Sequence, residues 1–366
     1  MRISDRVFVS GYSLGDWGRW RLERADLNPL FMDDILSPST LTLQRERTLF
    51  VITLVISCLI WLVCVVTIFP VIGLAIGGFV MWFLHGLLIG RIKSEAVKLD
   101  ANQTPGLSQV FSELCSRLNL ARVPDLYLMQ SGGILNAFAT RFCARDFVVL
   151  YSDILEAYGA DSGEIKFLLG HEIGHIRSKH IQKTVLLLPG LFLPLLGSAY
   201  NRACESSCDR YGAFASQDTA ASVRAMMILS GGKQAGRNLL AEGFSNQHHT
   251  SRGFFVSFHE LLSSYPTMSK RVSDLLDLQK GQKTAKPPRN PFAYFFGIFV
   301  PGARFGAIGI LICFYVFFIT LSSVALPLVE RVKHKAEIEA KKAQEELDLR
   351  RGDEKTESPE PATSPK

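Results

Sequence analysis

Apolar positions fall along this chain in two regimes, one of long unbroken runs and one of short periodic segments. From Leu49 to Gly90 no charged residue occurs, over about twice the twenty residues that one bilayer-spanning helix needs. Pro70 divides this run and predicts two transmembrane helices, 49–68 and 72–90, joined by a tight turn. A buried soluble hairpin is the alternative, and so long an uncharged run argues against it. His85, inside the second span, reads as a residue that packs or hydrogen-bonds between helices. Phe305–Val329 is long enough for a third span, and the aromatic-rich Pro291–Val300 before it resembles a membrane-interface segment. Val185–Leu196, VLLLPGLFLPLL, is too short to cross and is broken by Pro189, Gly190 and Pro194. It is expected to dip into the bilayer and return, or to lie on the membrane surface.

Elsewhere the periods are short. Thr104 followed by Pro105 marks a helix start, with Val110, Leu114 and Leu118 on one face. Asp125–Met129, Asn136–Thr140 and Phe147–Tyr151 read as strands, with Gly132 and Gly133 breaking the first from the second. The NAFAT run at 136–140 is short enough to be an edge strand, to which an extended peptide can add as a new strand. A purely structural strand fits its composition equally well. Asp161 and Glu164 form a capping-box pattern ahead of the apolar Ile165–Ile176, so a helix is expected to begin at Asp161. Further helices are expected at 218–231 and 254–279, with a solvated loop at 235–252 that carries His248 and His249. The resulting division is a polar arm at 1–47, a transmembrane hairpin at 48–90, a soluble domain at 91–280, a membrane segment at 291–329 and a charged, partly disordered tail at 330–366.

Composition narrows the class. The 366 residues are 48% hydrophobic, which suits a membrane protein with a soluble part. The net charge of +6 gathers beside the apolar segments, so it reads as membrane flanking and not as a nucleic-acid surface. The 7 cysteines include no C-x-x-C pair, and three lie in apolar spans, which favours a reducing compartment over a disulfide framework. The first apolar run begins near residue 49, so no signal peptide is read. Arg45 and Arg47, Arg91 and Lys93, and Lys333 and Lys335 would all be cytoplasmic by the positive-inside rule. Three spans cannot satisfy all of these pairs at once. A cytoplasmic catalytic domain is therefore expected, with the side of the C-terminal tail open.

The chemistry concentrates in DSGEIKFLLGHEIGHIRSKH, residues 161–180. His171 and His175 lie one helical turn apart on one face, where two imidazoles can share a metal ion, most often zinc. Glu172, next to the first of them, is placed to take a proton from water that a metal has acidified. Two ordinary histidines on a buried helix are the alternative. The variant of this motif with a third histidine ten positions after the first is absent, because position 181 is Ile, so a third ligand must come from elsewhere. In YNRACESSCDRYGA, Glu205 is the candidate third ligand and Asp209, one turn on, the candidate acceptor that holds a ligand histidine in one tautomer. Cys204 and Cys208 compete as ligands, but two added sulfurs would close a site that catalysis needs open.

These residues resemble the HtpX-type membrane zinc metallopeptidases, relatives of the CAAX prenyl protease. The resemblance covers 91–280, with the hairpin also fitting, and rests on NAFAT at 136–140, HEIGH at 171–175 with His180 following, Glu205-x-x-x-Asp209 and YPTMSKR at 265–271. It implies an α+β fold: a mostly helical, gluzincin-like metallopeptidase domain with a small β-sheet, plus transmembrane helices. It implies one Zn2+ per chain on His171, His175 and Glu205, with Glu172 as general base and Asp209 supporting a ligand histidine. The family more often has Ala where Cys208 stands, and His where Tyr265 stands. Tyr265 is thus the candidate oxyanion donor through its hydroxyl. The family also often has a transmembrane hairpin where this chain has 185–196.

The function read from this is a membrane-anchored zinc endopeptidase acting on polypeptides, above all membrane or misfolded proteins. Its partners are the substrate and the lipid bilayer, and no nucleic acid. The expected location is a multi-pass protein of the cell (inner) membrane. The alternative is a catalytically weak membrane chaperone or scaffold that retains a zinc site. A closed structural zinc domain would recruit Cys204 or Cys208, and a transporter would need ionisable groups within its spans.

Overall fold

The computed structural model describes residues 40–67, 69–130, 132–300, 331–339 and 341–342. The chain divides between Leu41 and Thr42, and the fold below belongs to the unit from Thr42 onward. Most of the expected arm, the third apolar segment at 305–329 and most of the tail lie outside the described residues.

Two long helices come first, α1 (Gln44–Thr67) and α2 (Phe69–Glu95). Both are long and apolar enough to cross a membrane. Large side chains such as Val55, Leu59, Leu62, Phe79 and Phe83 stand exposed along them. Pro70 sits in the first turn of α2, where its missing N–H costs no helical hydrogen bond. The strand β1 (Val97–Lys98), the helix α3 (Pro105–Arg117) and the strands β2 (Asp125–Met129), β3 (Ala137–Phe142) and β4 (Arg145–Tyr151) follow. The sheet order is β1-β2-β4-β3, with β2 parallel to β4 and the outer pairs antiparallel. The NAFAT segment therefore lies on an edge strand, as its length suggested.

Among the described residues that follow, the helices are α4 (Ser152–Tyr158), α5 (Gly163–Arg177), α6 (His180–Phe192), α7 (Leu196–Ser216), α8 (Thr219–Gly231), α9 (Ala235–Asn238), α10 (Ala241–Thr250), α11 (Phe254–Leu262), α12 (Met268–Lys280) and α13 (Pro291–Gly297), and residues 331–339 are also helical. The fold is α+β and mostly helical, with one small mixed sheet.

Several sequence expectations are corrected. The cap of α5 is Ser162, not Asp161: the Ser162 side chain accepts from the Ile165 N–H. The expected loop at 235–252 forms α9 and α10. The single helix expected at 254–279 is two, because Pro266 bars Tyr265 from the helical region and removes a helical donor. The 185–196 run, expected to dip into the bilayer or to lie on its surface, packs against the first long helix. It lies mostly in α6, which runs along α1: Ser57 Oγ donates to the Leu187 carbonyl at 3.1 Å, and Trp61 Nε1 to the Leu186 carbonyl at 3.0 Å. Gly190 permits this approach, because a Cβ there would meet Ser57 Oγ at 2.5 Å and the Thr53 carbonyl at 2.8 Å.

The hairpin and the domain share their cores. Ile89 and Ile92 of α2 are buried with Tyr127, Phe147 and Val149 of the sheet, while Leu49, Phe50 and Leu54 of α1 cover Leu187, Leu191, Tyr200 and Cys204. At the centre α5 buries Ile165, Phe167, Leu169 and Ile173 completely, and each such side chain contributes about 1.5–3 kcal/mol.

Candidate metal centre

Small residues bring α5 against α7. A Cβ at Gly170 would overlap that of Ala215, and one at Gly212 would lie 2.6 Å from the Phe167 carbonyl. At this crossing His171 and His175 of α5 face Glu205 and Asp209 of α7. His171 Nε2 is 3.3 Å from Glu205 Oε2 and His175 Nε2 is 3.6 Å from Glu205 Oε1. Donor atoms about 2.1 Å from a tetrahedral zinc lie about 3.4 Å from one another, so these spacings fit one ion. Glu205 Oε2 is buried and meets no aligned hydrogen-bond donor, which is a fault in a protein interior unless a cation fills the gap. The His171–His175–Glu205 set fits zinc and leaves a fourth tetrahedral position open.

Behind the ligands, His171 Nδ1 is 3.0 Å from Asp209 Oδ1. Arg271 of α12 donates Nε to Asp209 Oδ2 at 2.8 Å and Nη2 to Oδ1 at 2.6 Å, a two-pronged pair that fixes the carboxylate. Burial opposes charge on Asp209, but Arg271 outweighs it and holds the carboxyl well below the usual range. Burial also opposes charge on His171, yet Asp209 and Glu205 raise it to about 10. Glu205, despite its burial, is drawn down to about 2 by the two histidines. The negative charge of Glu205 and Asp209 beside the two imidazoles suits the site to a dication. Arg271 was missed as a site residue, although it closes the YPTMSKR segment. The visible signal was a cation one turn before the buried Leu275.

Glu172 is buried beside His171, and burial with the nearby Glu205 charge lifts it to about 7, against opposing pulls from His171, the Ala139 amide and Arg271. The Ala139 amide belongs to β3, so the edge strand borders the site. Tyr265 stands 57% exposed in the turn before α12. It is near enough for a phenolate charge to act on Arg271. Cys204 and Cys208 are buried, and burial, reinforced by neighbouring carboxylates, pushes both thiols up. Each shares a second potential metal-binding group with His180. Lys179 takes a left-handed φ of 57°, which ends α5 and turns His180 back toward His175.

Residues 101–198 and 190–279 match peptidase family M48. Over residues 101–279 the chain is similar to the M48 peptidases. A chloroplastic plastoglobule-localized metallopeptidase 48 of Arabidopsis thaliana is 28% identical over 153 residues, covering 37% of this chain and 43% of that protein. The present chain thus spans under half the length of that relative. No solved structure matches it. The M48 match bears out the HtpX-type resemblance read from HEIGH and Glu205-x-x-x-Asp209, and it supports a metalloprotease. All five of these acidic and histidine positions, His171, Glu172, His175, Glu205 and Asp209, fall within the matched M48 residues, as does Arg271.

Proposed function

We propose that this chain is a membrane-anchored zinc endopeptidase of gluzincin type, with one Zn2+ on His171, His175 and Glu205. The observation that carries the reading is the His171–His175–Glu205 triangle with a buried, proton-ready Glu172 beside it. Zinc, when bound, acidifies water and polarises a peptide carbonyl. Glu172, buried beside His171, takes a proton from the attacking water and passes it to the leaving amine nitrogen. Asp209 holds His171 by its Nδ1, so that Nε2 stays free to ligate. The substrate lies extended along β3, whose outer edge no described strand occupies, and Tyr265 donates to the developing oxyanion. The spanning hairpin holds the cleft near the bilayer. Membrane or misfolded proteins are therefore the substrates, and the catalytic domain is cytoplasmic, beside Arg91 and Lys93, in the cell (inner) membrane.

The test is casein cleavage by the detergent-solubilised chain, beside Glu172→Gln and a zinc chelator. Wild type should cleave. Glu172→Gln should lose activity by at least about a hundredfold while keeping its zinc, since general-base catalysis contributes about 10²–10⁴-fold. A zinc-loaded wild type that cleaves neither casein nor a membrane substrate would overturn the reading and leave a scaffold.

A further inference from the structure

Glu46, in the first turn of α1, and His180, at the start of α6, have no part in the steps above. Together they form a chain with His175. His175 Nδ1 lies 3.1 Å from His180 Nδ1, and His180 Nε2 lies 3.0 Å from Glu46 Oε1. Glu46 is 2% exposed and His180 7%. The ends of the chain fix its protons. An ionised carboxylate only accepts, so His180 carries its proton on Nε2 and presents a bare Nδ1. A histidine that gives Nε2 to a metal keeps its proton on Nδ1. His175 therefore donates to His180, and His180 donates to Glu46. The opposite arrangement would set two Nδ1–H groups against each other.

We propose that Glu46 is a positioning residue of the metal centre, acting through His180 to orient His175 and strengthen it as a donor. The inference rests on His175 being a zinc ligand, as in the function proposed above. Each ligand histidine then ends on a carboxylate, His171 on Asp209 directly and His175 on Glu46 through one imidazole. Such partners fix the tautomer of a ligand and raise its basicity. The two carboxylates have different anchors. Asp209 is held inside the domain by Arg271, whereas Glu46 is supplied by a membrane-spanning helix. The start of that helix is tied to α7, where the Leu43 N–H donates to Ser207 Oγ at 3.1 Å and Thr42 Oγ1 lies 3.1 Å from the Tyr211 hydroxyl. The site is complete only when the first spanning helix is seated.

The experiment uses the full chain in detergent, as wild type, Glu46→Ala, Glu46→Gln and the exposed-surface control Glu156→Gln. Zinc affinity is read by competition with a chromophoric chelator, the Co2+ form by its visible spectrum, and folding by melting temperature. Glu46→Ala should bind zinc about 10–100-fold more weakly and shift the Co2+ band. Glu46→Gln, whose amide oxygen still accepts from His180, should fall between it and wild type, and Glu156→Gln should match wild type. A merely structural Glu46 would lower the melting temperature with zinc affinity and the Co2+ spectrum unchanged in the folded protein, and that result overturns the proposal. Two zinc ions per chain would also overturn it, because His180 would then be a ligand itself. If wild type binds zinc without cleaving casein, the peptidase reading fails while the affinity comparison still decides this one. If wild type binds no zinc, both fall.

Discussion

Single residues in this protein take their properties from buried partners. Arg271 pairs with Asp209, Asp209 meets His171 Nδ1, and His171 Nε2 faces Glu205 at the candidate metal site. A second buried charge group sits apart from the metal. Glu260 accepts from Lys270 Nζ at 2.8 and 2.6 Å and from Arg289 Nη2 at 2.6 Å. Burial would raise the Glu260 carboxyl, but Arg289 and Lys270 bring it down to about 2 from an ordinary 4.5. A depressed folded pKa stabilises the protein in full above the unfolded value, and that share is lost as pH falls from about 4.5 toward about 2. Melting temperature should therefore fall across that acid window, and Glu260→Gln should flatten the fall while lowering the value at neutral pH. An unchanged acid slope in the variant would remove Glu260 from the account. The HEIGH residues were readable because their spacing alone carries the chemistry. Arg271 was not, because a helical arginine acquires meaning only from what faces it.

Between elements, the deciding contact is the crossing of α5 and α7. It sets two imidazoles against two carboxylates, and Gly170 and Gly212 make it close. Adding one methyl group at Gly170 should push α7 away. We expect Gly170→Ala to cost about 1–3 kcal/mol, the usual range for overpacking, and to weaken zinc binding together with stability. Thermal unfolding with and without added zinc checks this, and wild-type values for both would show that the crossing tolerates the extra atom. The pattern of apolar positions located α5 and the edge strand well. It failed at 235–252, where polar residues hide two short helices that tertiary contacts hold in place. It also failed at 254–279, where Pro266 should have been weighed above the helical periodicity on either side.

At the scale of the whole molecule, the hairpin and the peptidase domain are one structure. The inner end of α2 plugs the sheet through Ile89 and Ile92, and α1 covers α6 and α7. A substitution in the hairpin should therefore unfold the soluble domain. Ile92→Ala, at a fully buried position, should cost about 2–5 kcal/mol. Limited proteolysis reads this: cleavage should appear within 97–151, the sheet region, at lower temperature than in wild type. Protection identical to wild type would mean that the two parts fold independently. The short 185–196 run belongs to the same argument. Its length falls short of a span, and the hydrogen bonds from Ser57 and Trp61 show that it rests along α1.

By itself the sequence determined the chemistry that depends on spacing along one helix: His171 and His175 on a shared face, with Glu172 beside them. It determined the apolar hairpin as well, because length and the absence of charge are properties of the chain alone. It offered Glu205 as the third ligand, with Cys204 and Cys208 as competitors that would close the site. Only the tertiary structure crosses α5 over α7, so that Glu205 meets both Nε2 atoms. Only it brought Arg271 onto Asp209 from 62 residues away, and Glu46 onto His180 from 134. Contacts at such separations leave no period in a sequence, since each partner looks like an ordinary charged residue until folding removes the water between them.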